Sequence, residues 1–210
     1  MTTIMLIRHG DTDWNVEEVF RGRVDVELNG VGIKQSELLA KHLADERIVA
    51  IYSSPLKRAS KTAEIIAAPH CIDVITAPEL IDFDYGEWQG LSHDKVKEKF
   101  KALYAEWLKN PQLVKMPKGE SLDDVRERVF SLVEKVVAQY EGAVALVSHR
   151  VIHKVIICAL LGLDNSNIWN IRLDTCGITT FIYEKGGFIL SGHNDTSFLK
   201  PLGKAEPGDF

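Results

Sequence analysis

No run of apolar residues in this chain approaches the roughly 20 that a membrane-spanning helix requires. The start, Met1-Thr2-Thr3-Ile4, lacks a basic stretch followed by a long apolar one, so no signal peptide is visible. Cysteine is scarce. Cys71, Cys158 and Cys176 are odd in number and far apart, which argues against a disulfide framework and against a C-x-x-C metal pair. All three read as small buried hydrophobes in a protein of the reducing cytoplasm. An excess of positive charge is lacking as well: Lys and Arg total 25 against 30 Asp and Glu, a formal net charge of -5. This balance speaks against a nucleic-acid partner and against an anionic membrane surface, while leaving room for a small cationic pocket. Linkers, internal repeats and low-complexity blocks are missing too, so residues 1–210 read as one domain.

What is present is ordinary globular material, 45% hydrophobic and 26% charged. Ile4-Met5-Leu6-Ile7 stops abruptly at Arg8-His9-Gly10, and a short apolar run bounded by a turn residue reads as a buried strand. Val144-Ala145-Leu146-Val147-Ser148-His149 ends the same way. Residues 48–52 and 72–76 are further strand candidates. Residues 177–183 and 188–191 form a terminal β pair, with Gly186-Gly187 as the hairpin turn. Between the strands lie helical periods at 30–45, 56–68, 92–108, 122–140 and 150–161. The fourth opens on a near capping box, Ser121 to Asp124. Strands alternating with helices imply an α/β fold. The expected form is a three-layer αβα sandwich with a mostly parallel central sheet. The segment 80–118 is expected to form a small helical cap over the sheet's carboxyl edge. The stretch 201–210 is expected to be a frayed tail. Residues 177–183 are the candidate edge strand for a homodimer.

In open α/β sheets, ligands bind beyond the carboxyl ends of the strands. Arg8, His9, Arg58, Asp82 and His149 all fall at strand ends or helix starts on that expected edge, with Asn15 in the long loop beside them. At these positions the sequence resembles the histidine phosphatase family, which also holds the cofactor-dependent phosphoglycerate mutases. The matching stretches are Leu6-Ile7-Arg8-His9-Gly10-Asp11-Thr12-Asp13-Trp14-Asn15, Ser53-Ser54-Pro55-Leu56-Lys57-Arg58-Ala59, Tyr85-Gly86-Glu87-Trp88-Gln89-Gly90, Gly119-Glu120-Ser121-Leu122 and Val147-Ser148-His149. They occur in the family's order.

The resemblance implies that His9 is the nucleophile, forming a phosphohistidine. It implies that Arg8, Asn15 and Arg58 hold the phosphate oxygens, with His149 as a further donor and catalytic partner. The chemistry suits these residue types. A neutral imidazole nitrogen attacks phosphorus without a metal or other cofactor, provided its second nitrogen donates elsewhere; the carbonyl of Gly10 is the nearest candidate acceptor. Arginine offers planar forked donors and stays charged. Zinc ligation is the competing reading of the histidines, but further ligands at suitable spacing are missing, and Arg8 and Arg150 would repel a cation.

The chain departs from the family at three places. The glutamate expected four residues before Gly86 is Asp82, one methylene shorter. It is assigned the proton-donor role, and Ile81, Phe83 and Tyr85 are expected to desolvate it and favour its protonated form. Asp84 and Glu87 are its rivals, and both otherwise read as solvated loop charges. His149 is followed by Arg150 rather than a small residue. Arg21 replaces the Gln or small residue often found in related phosphatases. Arg21, Gly22 and Arg150 are therefore candidate substrate-binding residues, while Arg23 reads as a solvated loop charge. The expected function is a metal-independent hydrolase of a small phosphomonoester. A phosphoglycerate mutase is the alternative, but residues 91–116 contain no arginine to hold a substrate carboxylate. An inactive phosphate-binding module is the remote one.

Overall fold

The structure is a computed structural model that describes residues 1–16 and 19–203, with the backbone alone at 15 and 16. The expected tail beyond 203 lies outside the described residues. Strand β1 (Thr2–Arg8) leads through a one-turn helix α1 (Asp13–Val16) into α2 (Gly30–Leu43), capped by the Asn29 side chain. Next come β2 (Ile48–Ser53), α3 (Lys57–Ala67) and a short β3 (Val74–Thr76). The cap region holds α4 (His93–Lys99) and α5 (Lys101–Lys109). Then follow α6 (Leu122–Gln139), β4 (Gly142–Ser148), α7 (Arg150–Leu160), β5 (Ile178–Glu184) and β6 (Gly187–Asp195).

The six strands form one mixed sheet in the order β3-β2-β4-β1-β5-β6. The first four are parallel, and β5 and β6 are antiparallel additions. The period-2 alternation of a strand divides the core. Ile4, Leu6, Val144 and Leu146 face α6 and α7. Met5, Ile7, Ala145 and Val147 face α2 and α3. Register then decides the site: Arg8 lies opposite Ser148, and Ser53 opposite Val147. The chain continues from these neighbours as His9, His149 and Ser54, so three loops leave the sheet side by side.

Several local expectations need correction. Residues 178–184 are not an edge strand: β5 runs between β1 and β6, and the edge belongs to β6. The hairpin turn is centred on Lys185 (φ 51) and Gly186 (φ 80), not on Gly186-Gly187. Two successive positive φ values define the type I′ turn that matches strand twist. The 92–108 helix is two helices, because the backbone leaves α-geometry at Phe100. Cys71 is exposed rather than buried, since it caps the short turn after α3, whereas Cys158 and Cys176 are buried. Among the described residues no helix is long and apolar enough to cross a membrane.

Candidate active site

His9 emerges from the end of β1 and is 2% exposed. Its backbone N–H donates to Ser148 O at 3.0 Å, which ties it to the neighbouring strand. Its ring Nδ1 lies 2.7 Å from the Gly10 carbonyl, as expected from the sequence. A carbonyl only accepts, so Nδ1 carries the proton and Nε2 the lone pair. Burial pushes the His9 imidazole well below its usual pKa, and the charges of Arg58, Arg8 and Arg21 push it further down. His9 is therefore a neutral base with an available Nε2.

Gly10 is required for this placement. Its amide donates to Thr62 Oγ1 at 3.1 Å, and a Cβ there would stand 2.5 Å from the Gly32 carbonyl oxygen. The first turn of α2 thus presses directly on the loop that follows His9.

His149 is the N-cap position of α7 and is 1% exposed. Its ring centroid lies 5.2 Å from that of His9. Nε2 sits 2.8 Å from Ser54 Oγ, and Nδ1 lies 3.5 Å from Asp82 Oδ2. Burial, then Arg58, hold His149 well below its usual pKa. Ser54 was not singled out in the sequence, although its place at the end of β2 was the available signal.

Arg58 is fully buried. Nη1 donates to Val24 O at 2.9 Å, and Nη2 donates to Gly22 O and to Asp82 Oδ2, both at 2.8 Å. Its buried Nε has no hydrogen-bond partner among the described residues. Gly22 adopts φ +50, which turns its carbonyl onto Arg58. Arg8, also buried, donates from Nη1 to Leu173 O at 2.7 Å. Arg21 donates to Thr12 Oγ1 at 3.0 Å, and its charge acts on both histidines. Arg150 opens α7 beside His149 and is half-buried. Asn15 lies on α1, and its side chain falls outside the described residues.

Asp82 is 8% exposed. Burial of Asp82 agrees with the expected desolvation, but its carboxylate also has polar partners. Its Oδ2 faces the Arg58 guanidinium, and its Oδ1 accepts from Phe83 N at 2.8 Å. Asp84 is not a solvated charge. It accepts from Gly86 N at 2.9 Å and pairs with Arg23 at 3.3 Å. Arg23 is likewise engaged, reaching Glu120 at 2.8 Å. Glu87 is the solvated one and pairs with Lys118 on the surface. Phe20, Phe83, Tyr85 and Trp88 belong to the core. Among the described residues, no group of three or more His, Cys, Asp or Glu is placed to hold a metal ion.

Two neutral imidazoles, two buried guanidiniums and a carboxylate at the carboxyl edge of a mixed sheet define a protein that handles phosphoryl groups. The chain belongs to the histidine phosphatase superfamily, branch 1, whose family model matches residues 4–196. It is 34% identical over 200 residues to phosphoserine phosphatase 1 of Hydrogenobacter thermophilus, covering 95% of each chain. It is 30% identical over 212 residues to a metal-independent phosphoserine phosphatase of Arabidopsis thaliana, covering 99% of this chain and 87% of that one. Among solved structures, YhfR of Bacillus stearothermophilus superposes with a TM-score of 0.91 at 28% identity, covering 95% of this chain and 100% of that chain. The chain is a phosphomonoester hydrolase of this family.

Proposed function

We propose that this enzyme hydrolyses a small phosphomonoester whose leaving group carries its own negative charge, with O-phosphoserine as the first candidate. The observation that carries the mechanism is the bond from His9 Nδ1 to the Gly10 carbonyl, which leaves Nε2 as the attacking atom. Nε2 bonds to phosphorus as the P–O ester bond breaks. As the phosphoryl oxygens take Arg58 from Asp82, the acidic proton of the monoanionic ester passes to Asp82, which gives it to the departing alkoxide. Water then attacks the phosphohistidine and passes a proton to Asp82, releasing phosphate and restoring neutral His9. Arg8, Arg58 and His149, with Asn15, supply the donors for the phosphoryl oxygens. The buried Arg58 Nε and His149 Nδ1, unpartnered by hydrogen bonds among the described residues, are the kind of donors that an oxyanion would satisfy. Arg21 and Arg150 are assigned to the charge of the leaving group. The names of the two relatives above support phosphoserine, and the absence of arginine in residues 91–116 favours water over a sugar-acid acceptor. Free thiols at all three cysteines suit a reducing cytoplasm.

The test is turnover of a phosphomonoester panel in EDTA, with rapid quenching at neutral pH and mass spectrometry of the protein. We expect phosphate release from phosphoserine and a phosphate on His9 of the wild type, absent in His9→Ala. Loss of activity on chelation, restored by a divalent metal, would sink the mechanism. Isomerisation of phosphoglycerate without net hydrolysis would return the mutase reading.

A further inference from the structure

At the main-chain carbonyl of Asp82 sits a group of four charges that the reaction as described does not use. Glu120 follows the loop of Pro117-Lys118-Gly119, and its side chain is 16% exposed. Oε1 accepts from Arg23 Nη2 at 2.8 Å and from Arg128 Nε at 3.1 Å. Oε2 accepts from Arg128 Nη2 and from the Asp84 amide, both at 3.1 Å. The Glu120 amide in turn donates to the Asp84 carbonyl at 3.0 Å. Arg23 closes the group with its ion pair to Asp84.

The two guanidiniums held by Glu120 have a second destination. Arg23 Nε lies 3.3 Å from the main-chain carbonyl of Asp82, and Arg128 Nη2 lies 3.5 Å from the same oxygen. Arg128 also donates to the Glu79 carbonyl, upstream in the same loop. The 82–83 peptide is planar, so fixing the direction of its C=O fixes the direction of its N–H. That N–H, on Phe83, donates to Asp82 Oδ1 at 2.8 Å. A clamp on the outer face of the peptide therefore sets the carboxylate on its inner face.

We propose that Glu120, acting through Arg23 and Arg128, is the positioning residue for the Asp82 carboxyl. This rests on the reading of Asp82 as the proton donor. The physical need is specific to this chain. An aspartate here is one methylene shorter than the glutamate that the family resemblance leads one to expect, so it has less side-chain freedom with which to find the leaving oxygen. Its aim depends on the backbone that bears it. Two guanidiniums beside one carbonyl repel each other unless an anion lies between them, and Glu120 is that anion. Removing its charge leaves the cations to separate or to turn toward water, and the peptide loses its outer hold. Glu120, Arg23 and Arg128 supply no proton and touch no reacting atom.

The experiment separates positioning from general structural damage by leaving-group dependence. kcat/KM is measured for phosphoserine, whose alkoxide needs a proton, and for p-nitrophenyl phosphate, whose phenolate hardly does. The variants are Glu120→Gln, Arg128→Lys, Asp82→Asn and the double variant Asp82→Asn/Glu120→Gln. Misplacement of a reacting group by an ångström costs up to about 100-fold. Glu120→Gln should therefore lose about 10- to 100-fold on phosphoserine and less than about threefold on the nitrophenyl ester. Arg128→Lys keeps a charge but not the fork, and should fall between wild type and Glu120→Gln. Inhibition by inorganic phosphate should stay within about threefold in both, because the phosphate donors are untouched. In the double variant the Glu120 change should add nothing to the Asp82 change. Equal losses on the two substrates, or additive losses in the double variant, would overturn the proposal and leave Glu120 a purely structural residue. If Asp82→Asn alone shows no leaving-group preference, the acid assignment fails first and the proposal falls with it, while a selective loss in Glu120→Gln would then point to a different donor.

Discussion

At the scale of single residues, the free site is built from groups that hold one another until a phosphate arrives. Asp82 is the case in point. Its Oδ2 is shared between Arg58 at 2.8 Å and His149 Nδ1 at 3.5 Å. In the mechanism we propose, an incoming phosphate competes for both donors, and the carboxylate gives way to the phosphoryl oxygens as the substrate seats. Asp82→Asn keeps the shape and one acceptor oxygen but cannot donate an acidic proton. We expect it to lower kcat/KM on phosphoserine by on the order of 10²–10⁴-fold and to spare p-nitrophenyl phosphate. Because the second step needs a base, phosphohistidine should accumulate in the variant with the activated ester. A wild-type rate on phosphoserine, alongside a crippled Asp84→Asn, would move the acid to Asp84. The side chains that the structure brings together, His9, Arg58, Asp82 and His149, were legible in the sequence because cations, imidazoles and a carboxylate at strand ends are unusual enough to stand out. Their partners were not legible. The carbonyls of Leu173, Gly22 and Val24 are backbone groups far away in sequence, and backbone carbonyls have no signature. Ser54 carried only its position. Arg23 looked like a surface charge because its pairing with Glu120 joins segments 97 residues apart.

At the scale of elements, the site is only as accurate as the seam between β1 and α2. The loop after His9 is pressed between the first turn of α2 and the Thr62 hydroxyl of α3. Thr62 Oγ1 itself donates to the Arg58 carbonyl at 2.9 Å, so one side chain links the loop after His9 to the helix that carries Arg58. Gly10→Ala would push a methyl to within 2.5 Å of the Gly32 carbonyl, and the obstacle is backbone with nowhere to go. We expect a loss of stability of about 1–3 kcal/mol, the usual scale for overpacking. We also expect an activity loss in the surviving folded protein, since the Gly10 carbonyl that orients His9 must move. Denaturation midpoint and kcat/KM on the same preparation check both. An unchanged midpoint with full activity would show that the seam is soft. The strands and long helices could be read from apolar periodicity, which burial imposes. The turn at Lys185, the break at Phe100 and the interior place of β5 could not. A lysine at positive φ breaks its own preference, a helix break without Pro or Gly leaves no mark, and strand order is set by long-range pairing that no local pattern records.

At the scale of the whole molecule, the site makes the fold sensitive to mild acid. Three histidines are buried in one region: His9, His149 and His153. His153 lies one turn after His149 on α7, and its Nε2 sits 3.0 Å from the Ile7 carbonyl of β1. Burial lowers its pKa to about 4, with Arg8 adding to the depression against the opposing effect of the Ile7 bond. Burial lowers His9 and His149 in the same direction. Once the chain unfolds, each imidazole returns to the ordinary value near 6.5. Between that value and the folded one, the unfolded chain binds more protons than the native protein, so stability rises with pH across the window and is lost as pH falls through it. Each such histidine contributes a slope of up to about 1.4 kcal/mol per pH unit. Acid loss from carboxylates comes later. Asp124 in the capping box of α6, held down to about 2 by Lys115 and Ser121, begins to matter only below its ordinary 3.8. Urea unfolding in phosphate-free buffer should therefore show a midpoint that falls steadily from pH 7 to pH 5 at constant m-value. His153→Gln offers an amide donor to the Ile7 carbonyl and cannot be protonated. It should reduce the proton uptake on unfolding at pH 5 by about one, while His9 and His149 keep the rest of the slope. A midpoint that is flat from pH 7 to pH 5 would mean that the three imidazoles reach solvent protons in the native state. It would also remove the reason for treating His9 as a neutral nucleophile over that range.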